Sequence, residues 1–188
     1  MGGHHLILGK LNDIVTGEIL DDTLDERYRQ KLARILLEEK GYAKQDIIPR
    51  YKIIAEASDK RAALNIDFIV KPSAHYLMLI RFGPGSLITR HRPALAFSRT
   101  AVSYQIPVVV VTNGEDADIL DGSTGKLVES SLNAIPHKET LMSQYRDFVP
   151  KTVGDKARSL ELRILYAYEV DGSCPCDDTI CKIPPSDK

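Results

Sequence analysis

Six residues, Pro107-Val-Val-Val-Val-Thr112, constrain this chain more than any others. Four consecutive β-branched side chains favour an extended backbone and leave no polar face for water. Such a strand belongs inside a sheet that is covered on both sides. Tyr76–Phe82 (YLMLIRF) is a second, nearly continuous apolar run and reads as another central strand, ended by Gly83-Pro84-Gly85.

The flanking sequence supplies the rest of the architecture. Residues 12–20 read as a short extended pair around Thr16-Gly17. Thr23-Leu-Asp-Glu26 has the spacing of a capping box, and Leu24, Tyr28, Leu32, Ile35 and Leu36 follow at helical intervals up to Gly41. A helix is predicted over about 23–40. Ile47–Ala55 and Ala63–Lys71 read as strands, with Ile66, Phe68 and Val70 alternating with Asp67 and Ile69. A helix is predicted over 92–104, and Asp118–Leu120 as a returning edge strand after the Asn113-Gly114 turn. Helices follow over about 136–147 and 156–169. This order predicts an α/β fold, a mixed central β-sheet flanked by helices. The expected organisation is a core over 1–125, a C-terminal helical extension over 126–170 and a Cys-rich irregular tail over 171–188.

Composition narrows the function classes. The 188 residues are 43% hydrophobic and 27% charged, enough for a self-sufficient core. A formal net charge of −1 is low for a sequence-independent nucleic-acid binder, and the absence of Trp with 6% aromatic content gives no evident base-stacking platform. No run reaches the roughly 18 apolar residues of a membrane span. The N-terminus has no signal-peptide pattern, so a cytoplasmic location is expected. Gly83-Pro84-Gly85 lacks Walker spacing, Asp116, Asp118 and Asp121 lack an EF-hand pattern, and Ser98 and Ser103 lack a nucleophile elbow.

Several segments share a family likeness. TLDERYRQKLARILLEEKGYAKQDI, with Glu26, Arg29, Gln30, Gly41 and Tyr42, resembles the first helix of the N-terminal domain of type I restriction enzyme R subunits. ALNIDFIV resembles the strand of that family that presents a metal-binding aspartate, here Asp67. PVVVVTNGEDADILDGSTG resembles its closing strand and Thr-Asn-Gly turn. The likeness spans about 20–125. It implies a PD-(D/E)xK, restriction-endonuclease-like core, in which two carboxylates hold Mg²⁺ and a lysine positions the attacking water. It also implies that an acidic residue on the first helix, here Glu26, can join the metal site; the capping box offers Glu26 a different role.

The Glu-x-Lys of active members is missing. The matching strand puts Arg81 at the glutamate and Gly83 at the lysine. No Asp or Glu occurs anywhere from Phe68 to Gly114, so no shift of register supplies the carboxylate. A rescuing acid would have to be Glu26, Glu56, Asp59 or Glu115. Arginine is never a metal ligand. On neighbouring strands Arg81 would take the metal's place and pair with Asp67.

The same acid-free run carries Lys71, Arg81, Arg90, Arg92 and Arg99, with His75 and His91. These form either an anion-binding face for a phosphate backbone or a set neutralised by acids from elsewhere. In the tail, Cys174, Cys176 and Cys181 are candidate zinc ligands with one donor short of a tetrahedral set, or else free thiols. Three functional readings result. The first is a nuclease-fold domain without cleavage activity that binds nucleic acid such as DNA, or a protein partner, and needs no cofactor. The second is a divergent Mg²⁺-dependent DNA endonuclease. The third is a cytoplasmic interaction module with zinc in the tail.

Overall fold

A computed structural model describes residues 6–58, 60–171 and 181–183. A two-stranded hairpin, β1 (Lys10–Asn12) and β2 (Ile19–Asp21), precedes helix α1 (Leu24–Arg34), which continues as a π-helical stretch over Ile35–Glu39. The long hairpin β3 (Ile47–Ala57) and β4 (Lys60–Val70) follows, then β5 (Met78–Phe82), helix α2 (Ile88–Thr100) and β6 (Val108–Thr112). Strands β7 (Ala117–Asp121) and β8 (Leu127–Ser130) lead into helix α3 (Lys138–Gln144). Helix α4 (Asp155–Leu165) passes into a second π-helical stretch, Tyr166–Asp171, and β9 (Cys181–Ile183) closes the described chain.

The strands form one sheet in the order β3-β4-β5-β6-β7-β8, with β9 paired to the outer end of β4. β5 and β6 run parallel and the other pairs antiparallel, so the sheet is mixed as the sequence predicts. The apolar runs sit at its centre. Val109 and Val111 point into a core made with Ala94, Phe97 and Leu165 of α2 and α4. Val108 and Val110 point to the other face, against Leu32 and Leu36 at α1 and Leu141 of α3. Every residue of β6 is buried, as expected of a strand covered on both sides.

The structure departs from the sequence reading at several places. Helix α2 runs over Ile88–Thr100, not 92–104, and contains Pro93. Asp118–Leu120 is not an edge, because β8 pairs outside β7. The tail was expected to be irregular, yet Cys181–Ile183 is a strand hydrogen-bonded to Arg61–Ala63. The alternation along β4 also breaks. Leu64 and Ile66 join the α2/α4 core, whereas Phe68 and Val70, two and four residues on, join the α1 core. β3 does the same, with Ile53 and Ala55 in the first core and Ile47 in the second. Both strands therefore change face where Arg50 lies opposite Asp67, and Arg50 has a left-handed backbone (φ 51°). A left-handed arginine inside a strand is strained, and such strain collects at functional sites.

Candidate functional site

Asp67 is buried at this break, and both its oxygens accept from cationic or N–H donors. Its Oδ1 accepts from Arg29 Nε of α1 at 2.7 Å. Its Oδ2 accepts from Arg81 Nη1 of β5 at 3.0 Å and from the Phe82 backbone N–H at 2.8 Å. The sequence-predicted neighbours Asp67 and Arg81 are thus joined directly. Arg81 also donates to the Asn65 carbonyl at 2.6 Å, and its guanidinium lies 4.5 Å from the Phe97 ring centroid.

A residue that the sequence reading did not single out completes Arg81's contacts. Glu169, in the π-helical stretch after α4, accepts from Arg81 Nη2 at 2.8 Å. One guanidinium therefore spans two carboxylates from β4 and the C-terminal helix. Nothing local in the sequence ties position 169 to position 81.

Glu26 turns inward instead of closing a capping box. Thr23 Oγ1 does accept from the Glu26 N–H at 3.2 Å, which is half of the box. The Thr23 N–H donates to the Asp21 carbonyl instead, and the Glu26 carboxylate accepts from Gln30 at 2.8 Å and from Arg29 at 3.4 Å. Three cationic or amide donors, Arg29, Gln30 and Arg50, outcompete a single amide for its oxygens. Arg29 thereby bridges Glu26 and Asp67. Burial alone would lower the Arg29 pKa, but Asp67, Glu26 and Asp25 raise it above the usual arginine value.

Arg50 extends the network to the N-terminal hairpin. It pairs with the buried Asp13 at 2.7 Å and with Glu18 at 3.2 Å, and Glu26 lies 3.6 Å away. Gln30 donates to Asp13 at 3.2 Å. Burial pushes the Asp13 carboxyl up, but the Thr16 amide, Arg50 and the Val15 amide hold it below the ordinary aspartate value.

This donor set does not fit Mg²⁺, which demands near-octahedral oxygen ligands at short range. Both Asp67 oxygens meet cations, and the two guanidinium groups would repel a metal ion. Among the described residues no group of three or more His, Cys, Asp or Glu is placed to hold a metal. Glu56 stands far off: it pairs with Arg61, six positions along β4 from Asp67, or about 20 Å of strand. Glu115 is exposed in the turn after β6, and Asp59 lies outside the described residues.

Gly83, which the resemblance aligns with a lysine, is also covered. A Cβ at Gly83 would collide with the Arg90 guanidinium, which lies over it and donates to the Pro84 carbonyl at 3.0 Å. Arg90 comes from α2, one turn after the Gly83-Pro84-Gly85 break.

The remaining cations of the acid-free run do not form one open face. Arg92 and Arg99 both turn to Glu161 of α4, at 2.6 and 2.7 Å, and tie α2 to α4. His91 pairs with Asp118 at 2.7 Å. His75 packs edge-on against Phe148 and Tyr104. Of the described lysine and arginines in this set, only Lys71, whose Nζ lies 5.0 Å from the Tyr76 ring centroid, and Arg90 have no carboxylate partner. Cys174 and Cys176 lie outside the described residues, and of Cys181 only the backbone pairing with β4 is described. No described helix is long and apolar enough to cross a membrane.

The Thr112-Asn113-Gly114 turn is built around side-chain bonds. Asn113 Oδ1 accepts from the Glu115 and Asp116 amides, and Lys31 of α1 donates to the Gly114 carbonyl at 2.9 Å. Gly114 has φ +88°, and a Cβ there would press into the Tyr28 ring, so glycine is required on both counts. A family model described as the type I restriction enzyme R protein N terminus (HSDR_N) matches residues 24–136, which runs from the start of α1 past β8. No curated protein and no solved structure matches the chain.

Proposed function

The chain belongs to the type I restriction enzyme R protein N terminus family, and from that premise we propose that it is a nuclease-fold domain that binds without cutting. One observation carries the reading. The aspartate that the family uses for metal is held by Arg29, Arg81 and the Phe82 amide, with Glu169 closing Arg81 from behind. A site satisfied internally has no reason to recruit a cation, and without the cation neither phosphate polarisation nor hydroxide formation is available. The domain then acts as a scaffold within a restriction-type assembly. Incubating the full chain with supercoiled and linear DNA in Mg²⁺ or Mn²⁺ tests this. Intact DNA at high protein excess is the expected result, and metal-dependent cutting that Asp67→Asn abolishes would sink the proposal.

A DNA-binding role has its own support in Arg90 and Lys71, the two cations of the acid-free run without carboxylate partners. Two phosphate contacts give weak binding whose log–log salt slope is about −2. A titration at rising salt separates this from protein docking: a slope near zero removes the DNA reading and leaves the scaffold reading in place.

A further inference from the structure

Helix α4 and the π-helical stretch after it turn an apolar stripe away from the domain. Ala157, Leu160, Ile164 and Ala167 follow at intervals of three, four and three residues, the spacing that keeps side chains on one line of a helix. Tyr168, four residues after Ile164, widens that line toward the C-terminus. Leu160 is 50% and Tyr168 53% exposed, Ala157 and Ala167 are exposed, and Ile164 is half-buried. The other side of the helix carries its hold on the domain. Leu162, Leu165 and Tyr166 pack into the α2/α4 core, and Arg158 donates to the Thr100 and Val102 carbonyls at the end of α2. Leu160 and Tyr168 therefore add little to the fold, and grouped exposed apolar residues mark interaction surfaces.

The spacing sets the form of what covers the stripe. A three-four repeat is the seam along which a second helix packs, and the two alanines let it approach closely. The free charges set its sign. Lys156 and Arg163 are exposed and have no carboxylate partner among the described residues. Helical geometry puts both about 40–60° to the same side of Leu160, with Ile164 and Tyr168 on the other side. The acids of the helix lie elsewhere. Glu161 and Glu169 are tied to arginines, Asp155 lies about 140° round from Leu160, and Asp171 stands beyond Tyr168. A second copy packed antiparallel would set Lys156 and Arg163 against the same two cations. Packed parallel, it would set Lys156 against Glu161, which two arginines already engage.

We propose that the outer face of α4 docks an acidic amphipathic helix of another protein: its apolar seam covers Leu160, Ile164 and Tyr168, and its carboxylates meet Lys156 and Arg163. The inference rests on the partner-binding half of the proposed function and gives it a surface, without use of Asp67.

The test uses the full chain and two labelled synthetic helices with the same apolar three-four seam. One carries glutamate at the positions flanking the seam and the other lysine. The glutamate helix is expected to bind, more weakly as salt rises, and the lysine helix not to bind. Leu160→Ser with Tyr168→Ser should weaken binding about tenfold with the unfolding midpoint unchanged. Lys156→Glu with Arg163→Glu should move binding to the lysine helix. The proposal is overturned if neither helix binds, if both bind alike, if duplex DNA displaces the bound helix, or if sedimentation reveals a dimer that the two serine substitutions dissolve. DNA cleavage by the same preparation would sink the non-cutting reading and leave this one standing.

Discussion

Arg81 Nη1 lies 3.0 Å from Asp67 Oδ2, and the same guanidinium reaches Glu169 with its other amino group at 2.8 Å. The side chains of all three are largely buried. Removing Arg81 leaves two carboxylates facing each other in a low-dielectric setting. Arg81→Ala is expected to destabilise the fold by about 3–5 kcal/mol. In a chain of this size that lowers the melting temperature by about 6–20 °C. An unchanged melting temperature would refute the buried role of the pair.

Introducing the Glu-x-Lys that the resemblance aligns at 81 and 83 is not expected to produce cleavage. In Arg81→Glu/Gly83→Lys the new lysine must displace the Arg90 guanidinium, a flexible end that can move aside, but Arg29 stays on Asp67 Oδ1. The double variant is expected to bind Mg²⁺ no better than the parent by calorimetry and to leave DNA intact. Gain of cutting without any change at Arg29 would show that Arg29 does not block the site.

The Asp13 carboxyl titrates below its ordinary value in the folded chain. A depressed carboxyl contributes stability that is present above the unfolded pKa, about 4, and is lost as pH falls through the folded value. Asp13→Asn should therefore be less stable than the parent at neutral pH, and the gap should close as pH drops below about 4. Denaturant midpoints measured across that range check the sign; a gap that widens on acidification contradicts it.

Glu161 neutralises Arg92 and Arg99 between α4 and α2. Glu161→Gln strands both charges. The cost is set at about 2–3 kcal/mol, below that of a fully buried pair, because Arg92 is 39% exposed. Hydrogen exchange should quicken in α4 before the central strands. The freed arginines should also steepen the salt dependence of any DNA binding, which an anisotropy titration reads directly.

The sequence was informative where burial was two-sided. The valines of β6 and the run in β5 admit one environment, so strand type and centrality followed from them, while the pairing of Asp67 with Arg81 was an expectation from the family resemblance. It was less informative where partners lie far apart in the chain. Glu169 reaches Arg81 through a π-helical stretch that shifts the helical phase, which no periodic template anticipates. Glu26 obeyed the capping spacing, yet its carboxylate went to Arg29 and Gln30, because tertiary donors outweighed a local amide. β8 escaped notice because all four of its residues are exposed and short solvent-facing strands carry no alternation. The change of face in β3 and β4 needed a left-handed backbone at Arg50, a residue type that gives no warning of one.

The guanidinium that spans Asp67 and Glu169 also has a bearing on ancestry. Position 169 lies outside the 24–136 stretch that the family model matches, yet it balances the charge at position 81 inside it. The two positions should therefore be inherited as a couple. Relatives that keep glutamate where this chain has Arg81 should lack an acid at the place of Glu169, since two carboxylates would then share the space of one cation. Sequencing diverse relatives would show whether the two positions change together.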